Sequence, residues 1–193
     1  MVKQTFLEKF WNVARSKGAL KTLVVVSFTE AIFFPIPPDA LLIPMGLAKK
    51  DKAFFYATIC LLASIIGGIA GYFLGYFFMD SIGMGLVKFY GLQDKYVYLQ
   101  NLYRQYKVLA VGMAGLTPIP YKLCTLTAGA FKISILSFTL VSFLSRGIRF
   151  YAIAALIYWQ GDRAREFLEK RFNYVVTLFV VLLILGFVLL KYL

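Results

Sequence analysis

The sequence specifies an all-α membrane protein. Its plan is an inverted repeat of two re-entrant, Pro-containing helical hairpins, each followed by a transmembrane helix, with an amphipathic helix before and a transmembrane helix after. Three observations lead there. Of 193 residues, 61% are apolar and 16% charged, with mean hydropathy +0.76, whereas soluble domains carry about 25% charge. Residues 53–79 contain no charge at all. Prolines gather in two clusters, and both lie inside other apolar stretches.

The remaining composition narrows the function. Lys and Arg exceed Asp and Glu by 21 to 9, but no continuous basic stripe tracks a nucleic acid, so lipid headgroups are the expected acidic partner. His is absent and the two cysteines, Cys60 and Cys124, stand alone in apolar runs. No metal site, cofactor or disulfide scaffold is expected from them, and both read as small core residues.

Residues 1–22 put Leu7, Phe10, Trp11 and Ala14 on one helical face among basic residues, the pattern of an interfacial amphipathic helix. Glu30 interrupts the following apolar run and no A-x-A cleavage pattern follows, so the segment is expected to stay on the mature protein. Residues 23–79 form the first repeat. Within it, 23–48 has the length to cross a bilayer but carries Glu30, Asp39, Pro35, Pro37, Pro38 and Pro44. Each proline removes a backbone donor and crowds the preceding turn, so two half-helices meeting at a tip are expected in place of one span. Such a broken backbone persists at membrane depth only where protein or water covers it. KKDK at 49–52 marks an interface, and 53–79 is a transmembrane helix whose Gly67, Gly71 and Gly75 form a small-residue stripe for close packing. Residues 80–107, Tyr-rich and mixed in charge, read as interfacial helices.

The second repeat, 108–161, starts with a second hairpin around Pro118 and Pro120, followed by an apolar run, 133–159, that holds Arg146 and Arg149 on one face. Residues 162–193 pass through a charged stretch into a last apolar crossing at 174–190. An offset of 83 superposes Pro35 on Pro118, Pro37 on Pro120, Gly46 on Gly129 and Lys49 on Lys132. One spanning helix lies between the repeats, so the second enters from the opposite side. Transporter folds of this kind put their sites at the midplane where the repeats meet. Twelve Lys and Arg fall on one side and six on the other, which places the N-terminus in the cytoplasm and, with three crossings, the C-terminus outside.

Five ionisable residues remain in the apolar segments: Glu30, Asp39, Lys122, Arg146 and Arg149. Each costs roughly 2.5–3.5 kcal/mol at the centre of a bilayer if unpaired, so they are expected to pair around a water-accessible cavity. The offset carries Asp39 onto Lys122. Either the two face one another across the repeat axis, or each snorkels to its own interface. Guanidiniums hold phosphate oxygens bidentately, while Glu30 and Asp39 are suited to exchange protons.

Glu30, the run FPIPPDALL at 34–42, TPIPYK at 117–122 with AG at 128–129, and SRGIRF at 145–150 together resemble the DedA family, also called the VTT or SNARE-associated superfamily, over nearly the whole chain. The resemblance implies two re-entrant hairpins in inverted repeat, a role in bacterial envelope homeostasis, and relatives described as lipid flippases, scramblases or proton-dependent transporters. It also implies that an acidic pair, Glu30 and Asp39, and the arginines Arg146 and Arg149 are the functional residues. The chain reads Gly67-Gly68 where many members have Gly-Asp, and Lys122 stands nearest to an Arg that many carry in the second hairpin.

The expected function is therefore a multi-pass cell-membrane transporter, not an enzyme, that moves lipid, anionic or phosphate-bearing, between leaflets with protons as the candidate coupling ion. The alternatives are a proton-coupled small-solute transporter, a structural membrane protein with a buried ion-pair lock, and an enzyme acting on lipid phosphates. The last is weakened by the lack of His and of clustered acids.

Overall fold

The computed structural model describes residues 18–116 and 121–161 together with Ser16 and Arg163. Pro118 and Pro120, most of the expected amphipathic helix and the expected crossing at 174–190 lie outside the described residues. Every regular element among those described is helical. Two helical stretches, Lys50–Phe89 and Ile135–Gly161, are long and apolar enough to cross a membrane.

Helix α1 is Ala19–Glu30 and α2 is Asp39–Ala48. Between them the backbone folds sharply: the amides of Ile32, Phe33 and Phe34 all donate to Thr29 O. Pro35, Pro37 and Pro38 have no amide to continue the ladder, and Pro38 occupies the cap that starts α2. At 1.5 Å per residue, helices of 12 and 10 residues reach roughly 15–18 Å, about half of a hydrocarbon core.

A 3₁₀ turn over Lys50–Lys52 leads into α3, Ala53–Phe78. A π-helical turn over Met79–Gly83 then joins it to α4, Met84–Phe89. Gly91, at φ 64°, closes α4 in a Schellman turn: Leu92 N–H donates to Val87 O and Gly91 N–H to Lys88 O. Helix α5 is Gln93–Leu116, kinked at Tyr106, so it runs across the expected boundary at 107/108 and bends beside it. Helix α6 is Tyr121–Ala130 and ends in the same turn type, with Lys132 as the left-handed residue. Helix α7 is Ile135–Gly161.

The two long helices run antiparallel. Tyr72 OH donates to Ile133 O at 2.6 Å near one end, Thr58 Oγ1 and Tyr151 OH are 2.7 Å apart further along, and the rings of Phe54 and Tyr158 lie 5.7 Å apart near the other end. Helices α1 and α6 follow one another along a single face of α3. That face is built for backbone contact: a Cβ at Gly67 would lie 2.2 Å from Phe28 O in α1, and one at Gly75 would lie 2.1 Å from Leu126 O in α6. The contact is reciprocal, since a Cβ at Gly129 in α6 would lie 1.9 Å from Tyr72 O in α3. Helix α2 runs along α7, where Gly46 packs on Ile157 and Leu42, Met45 and Leu47 share a core with Phe150, Ala154 and Ile157. The outer face of α3 is also apolar and bare, with Ile66 59% and Phe77 62% exposed. A helix apolar on both faces is suited to lipid.

Replacing Gly129 or Gly75 by Ala should push α6 off α3 and lower stability in detergent by about 1–3 kcal/mol, the cost of overpacking. Gly85→Ala in α4, where nothing lies within 4 Å of the added carbon, should leave the melting temperature unchanged or slightly raised. Thermal unfolding of the three purified variants checks both outcomes.

Candidate functional site

Each break in the first apolar segment leaves an acid at a helix end. Glu30 is the last residue of α1 and Asp39 the first of α2. Asp39 therefore faces the positive end of its helix dipole, whereas Glu30 sits at a negative end and needs an external cation. Both cations come from α7. Arg146 Nη2 donates to Glu30 Oε2 at 2.9 Å, and Arg149 Nη2 donates to Asp39 Oδ2. The spacing of three residues along α7 thus matches two helix ends brought together by the turn at 31–38.

The Glu30–Arg146 pair is buried, at 8% and 5% exposed, whereas Asp39, also 8% exposed, meets an Arg149 side chain that is 22% exposed. Both pairs lie near the middle of the long helices: Arg146 and Arg149 fall close to the midpoint of Ile135–Gly161. The pairing leaves polar atoms over. Asp39 Oδ1 and Arg146 Nε are buried without a hydrogen-bond partner among the described residues. An atom in that condition costs about 1–3 kcal/mol.

The second broken segment reaches the same place by hydrogen bonds to backbone carbonyls. Thr125 Oγ1 in α6 donates to Ala31 O at 2.8 Å, and Lys122 Nζ donates to Phe33 O at 3.3 Å. Lys122 therefore binds the turn after α1, while Asp39 is engaged by Arg149, and the Asp39–Lys122 juxtaposition drawn from the repeat offset gives way to these partners. The reason is the path of α2, which runs along α7 and carries Asp39 to Arg149. Pro35, Pro37 and Pro38 shape the turn itself.

Several neighbours escaped the sequence reading. Tyr121, the first residue of α6, lies with its ring 4.2 Å beneath the Arg146 guanidinium, and Phe150 approaches the same group at 5.2 Å. An aromatic residue in an apolar segment carries no distinguishing pattern, although Tyr121 adjoins Lys122 in a run already singled out. Ser27 Oγ donates to Leu23 O at 2.6 Å and lies 3.1 Å from Cys60 Sγ. Both cysteines are free thiols in the interior, as expected of core residues. At one end of the long-helix pair, Lys132 bonds to Asp80 and stands 4.8 Å over the Tyr76 ring.

The VTT domain matches residues 36–159. A protein of Haemophilus influenzae described as uncharacterized is 36% identical over 187 residues, covering 97% of each chain. A Histophilus somni protein of the same description is 35% identical with the same coverage. One from Methanocaldococcus jannaschii is 25% identical over 146 residues, covering 76% of this chain and 88% of its own. No solved structure matches. With the domain matching well over half of the chain and relatives of more than 30% identity along nearly all of it, the chain belongs to the VTT-domain (DedA) family of membrane proteins.

Proposed function

We propose that this protein is a membrane transporter that moves an anionic, phosphate-bearing lipid between leaflets, with Arg146 and Arg149 as the phosphate-binding groups and Glu30 and Asp39 as their exchangeable counter-ions. The observation that carries this reading is the placement of two acid–guanidinium pairs at the helix ends of a broken segment, at mid-depth of the long helices. A bilayer penalises every one of those charges. A lipid phosphate entering the site replaces the carboxylates as partner of the guanidiniums, and the carboxylates released from their cations take up protons. The unpartnered Asp39 Oδ1 and Arg146 Nε provide hydrogen-bonding capacity for a polar headgroup.

The contact pattern supports the inverted repeat and the re-entrant hairpins. Helix α1 lies along α3 as α5 lies along α7, where Gly115 packs on Ser145; α2 lies along α7 as α6 lies along α3. The offset of 83 relates the members of each comparison, and α3 and α7 are antiparallel. In this reading the protein is a multi-pass protein of the cell membrane with a cytoplasmic N-terminus, it performs no covalent chemistry, and its partners are lipids and protons.

One observation favours a second reading, a structural lock: the four charges are already matched one to one. Exchanging a pair separates the two. In the Asp39→Arg/Arg149→Asp double variant a lock keeps its stability and the cell its phenotype, whereas a directional anion site loses transport.

Reconstituted in phosphatidylcholine vesicles with fluorescent phosphatidylglycerol, Arg146→Ala and Arg149→Ala should each slow translocation about 10- to 100-fold, the factor carried by a charge-assisted hydrogen bond. Equal translocation by wild type and both variants removes the phosphate site. Glu30→Gln with Asp39→Asn should abolish the dependence of the rate on pH, and an unchanged pH profile removes the proton coupling.

A further inference from the structure

Ionic contacts join α7 to the first broken segment, and α6, from the second, also touches the charge centre. Its contact with Arg146 is the ring of Tyr121. Tyr121 is 1% exposed, its ring lies at 11° to that of Phe138 with centroids 6.3 Å apart, and the Arg146 guanidinium stands 4.2 Å from its centroid. Its hydroxyl rests over α3 at Gly68, where a Cβ would lie 2.8 Å from the oxygen and 3.2 Å from Cε1. The ring is packed against both Phe138 and the guanidinium, so an atom added at Gly68 would have to displace it.

We propose that Tyr121 is the positioning residue for Arg146, and that Gly68 is kept bare to seat the Tyr121 hydroxyl. The guanidinium plane is free to rotate about its stem unless something fixes it. With Tyr121 and Phe150 against it and Glu30 at one edge, the group is held in the orientation in which an anion would meet it. The ring keeps that orientation when the carboxylate is displaced, because the attraction of a cation for an aromatic face does not depend on Glu30. The inference rests on the reading of Arg146 as an anion-binding group, but its geometry can be tested apart from transport.

The test combines a spectroscopic signature with a rescue. In the ¹⁵N-labelled full-length protein, the Arg146 Nε–H resonance, identified by its loss in Arg146→Ala, should show the upfield ring-current shift of a group over an aromatic face. Tyr121→Leu should abolish that shift and Tyr121→Phe should retain it. In phosphatidylcholine vesicles, Tyr121→Leu should raise the half-saturating mole fraction of fluorescent phosphatidylglycerol about tenfold, the factor carried by a desolvated cation–π contact, while the maximal rate falls less. Gly68→Ala should have the same effect, and adding Tyr121→Phe, which removes the colliding oxygen, should reverse it. That pair decides the matter if Tyr121→Leu does not fold. An unshifted wild-type resonance, or a Gly68→Ala defect that Tyr121→Phe leaves in place, overturns the proposal. If the signature and the rescue hold while Arg146→Ala translocates normally, the positioning stands and the transport reading of Arg146 falls.

Discussion

Two ion pairs that the bilayer will not tolerate broken hold the first segment in its shape. Removing one partner of a buried pair typically costs about 3–5 kcal/mol. Glu30 and Asp39 terminate two helices that would otherwise be free to separate at the turn over 31–38, and the arginines one turn apart on α7 draw those ends together. The same contacts fix the depth of the break. Because the arginines sit near the centre of α7, the carbonyls of the turn are carried level with the middle of that helix, where Thr125 and Lys122 satisfy two of them.

The other side of the molecule is assembled by different means. Helix α3 takes both broken segments on one glycine-lined face by backbone contact, without a charge. Contacts at that range have no slack. The ionic seam against α7, in contrast, can exchange one partner for another of the same sign. The fold thus pairs an apolar, close-fitted seam with a polar, exchangeable one, and the proposed chemistry belongs to the second.

Much of this was legible in the residues. Proline inside an apolar stretch has few outcomes, so the break near 31–38 could be read directly, and the charge-free run at 53–79 could only be a long buried or lipid-facing helix. Glycines at every fourth position announced a close seam but not its occupants. The acids and arginines were visible as a set because each is expensive where it lies. Their pairing was not, since Glu30 and Arg146 are 116 positions apart and only the course of α1 and α2 decides which cation each acid meets. The repeat offset set Asp39 beside Lys122 in register, but register is not contact: α2 leans on α7, so Asp39 goes to Arg149. Tyr121 was invisible for a simpler reason, that one ring among many in a chain with 13 Tyr and 19 Phe has no local mark.

The π-helical turn at Met79–Gly83 has an effect beyond its five residues. A widened turn of this kind inserts one extra residue, which rotates everything after it by roughly 100° about the axis, one residue's share of a 3.6-residue turn. The stripe that faces inward through Gly75 is therefore swung aside before α4 begins. No residue of α4 is buried, and Phe89 stands 81% exposed at its end. One unbroken rod from Lys50 to Phe89 thus serves as an interior spine for most of its length and, past the phase shift, as an outward-facing aromatic tip.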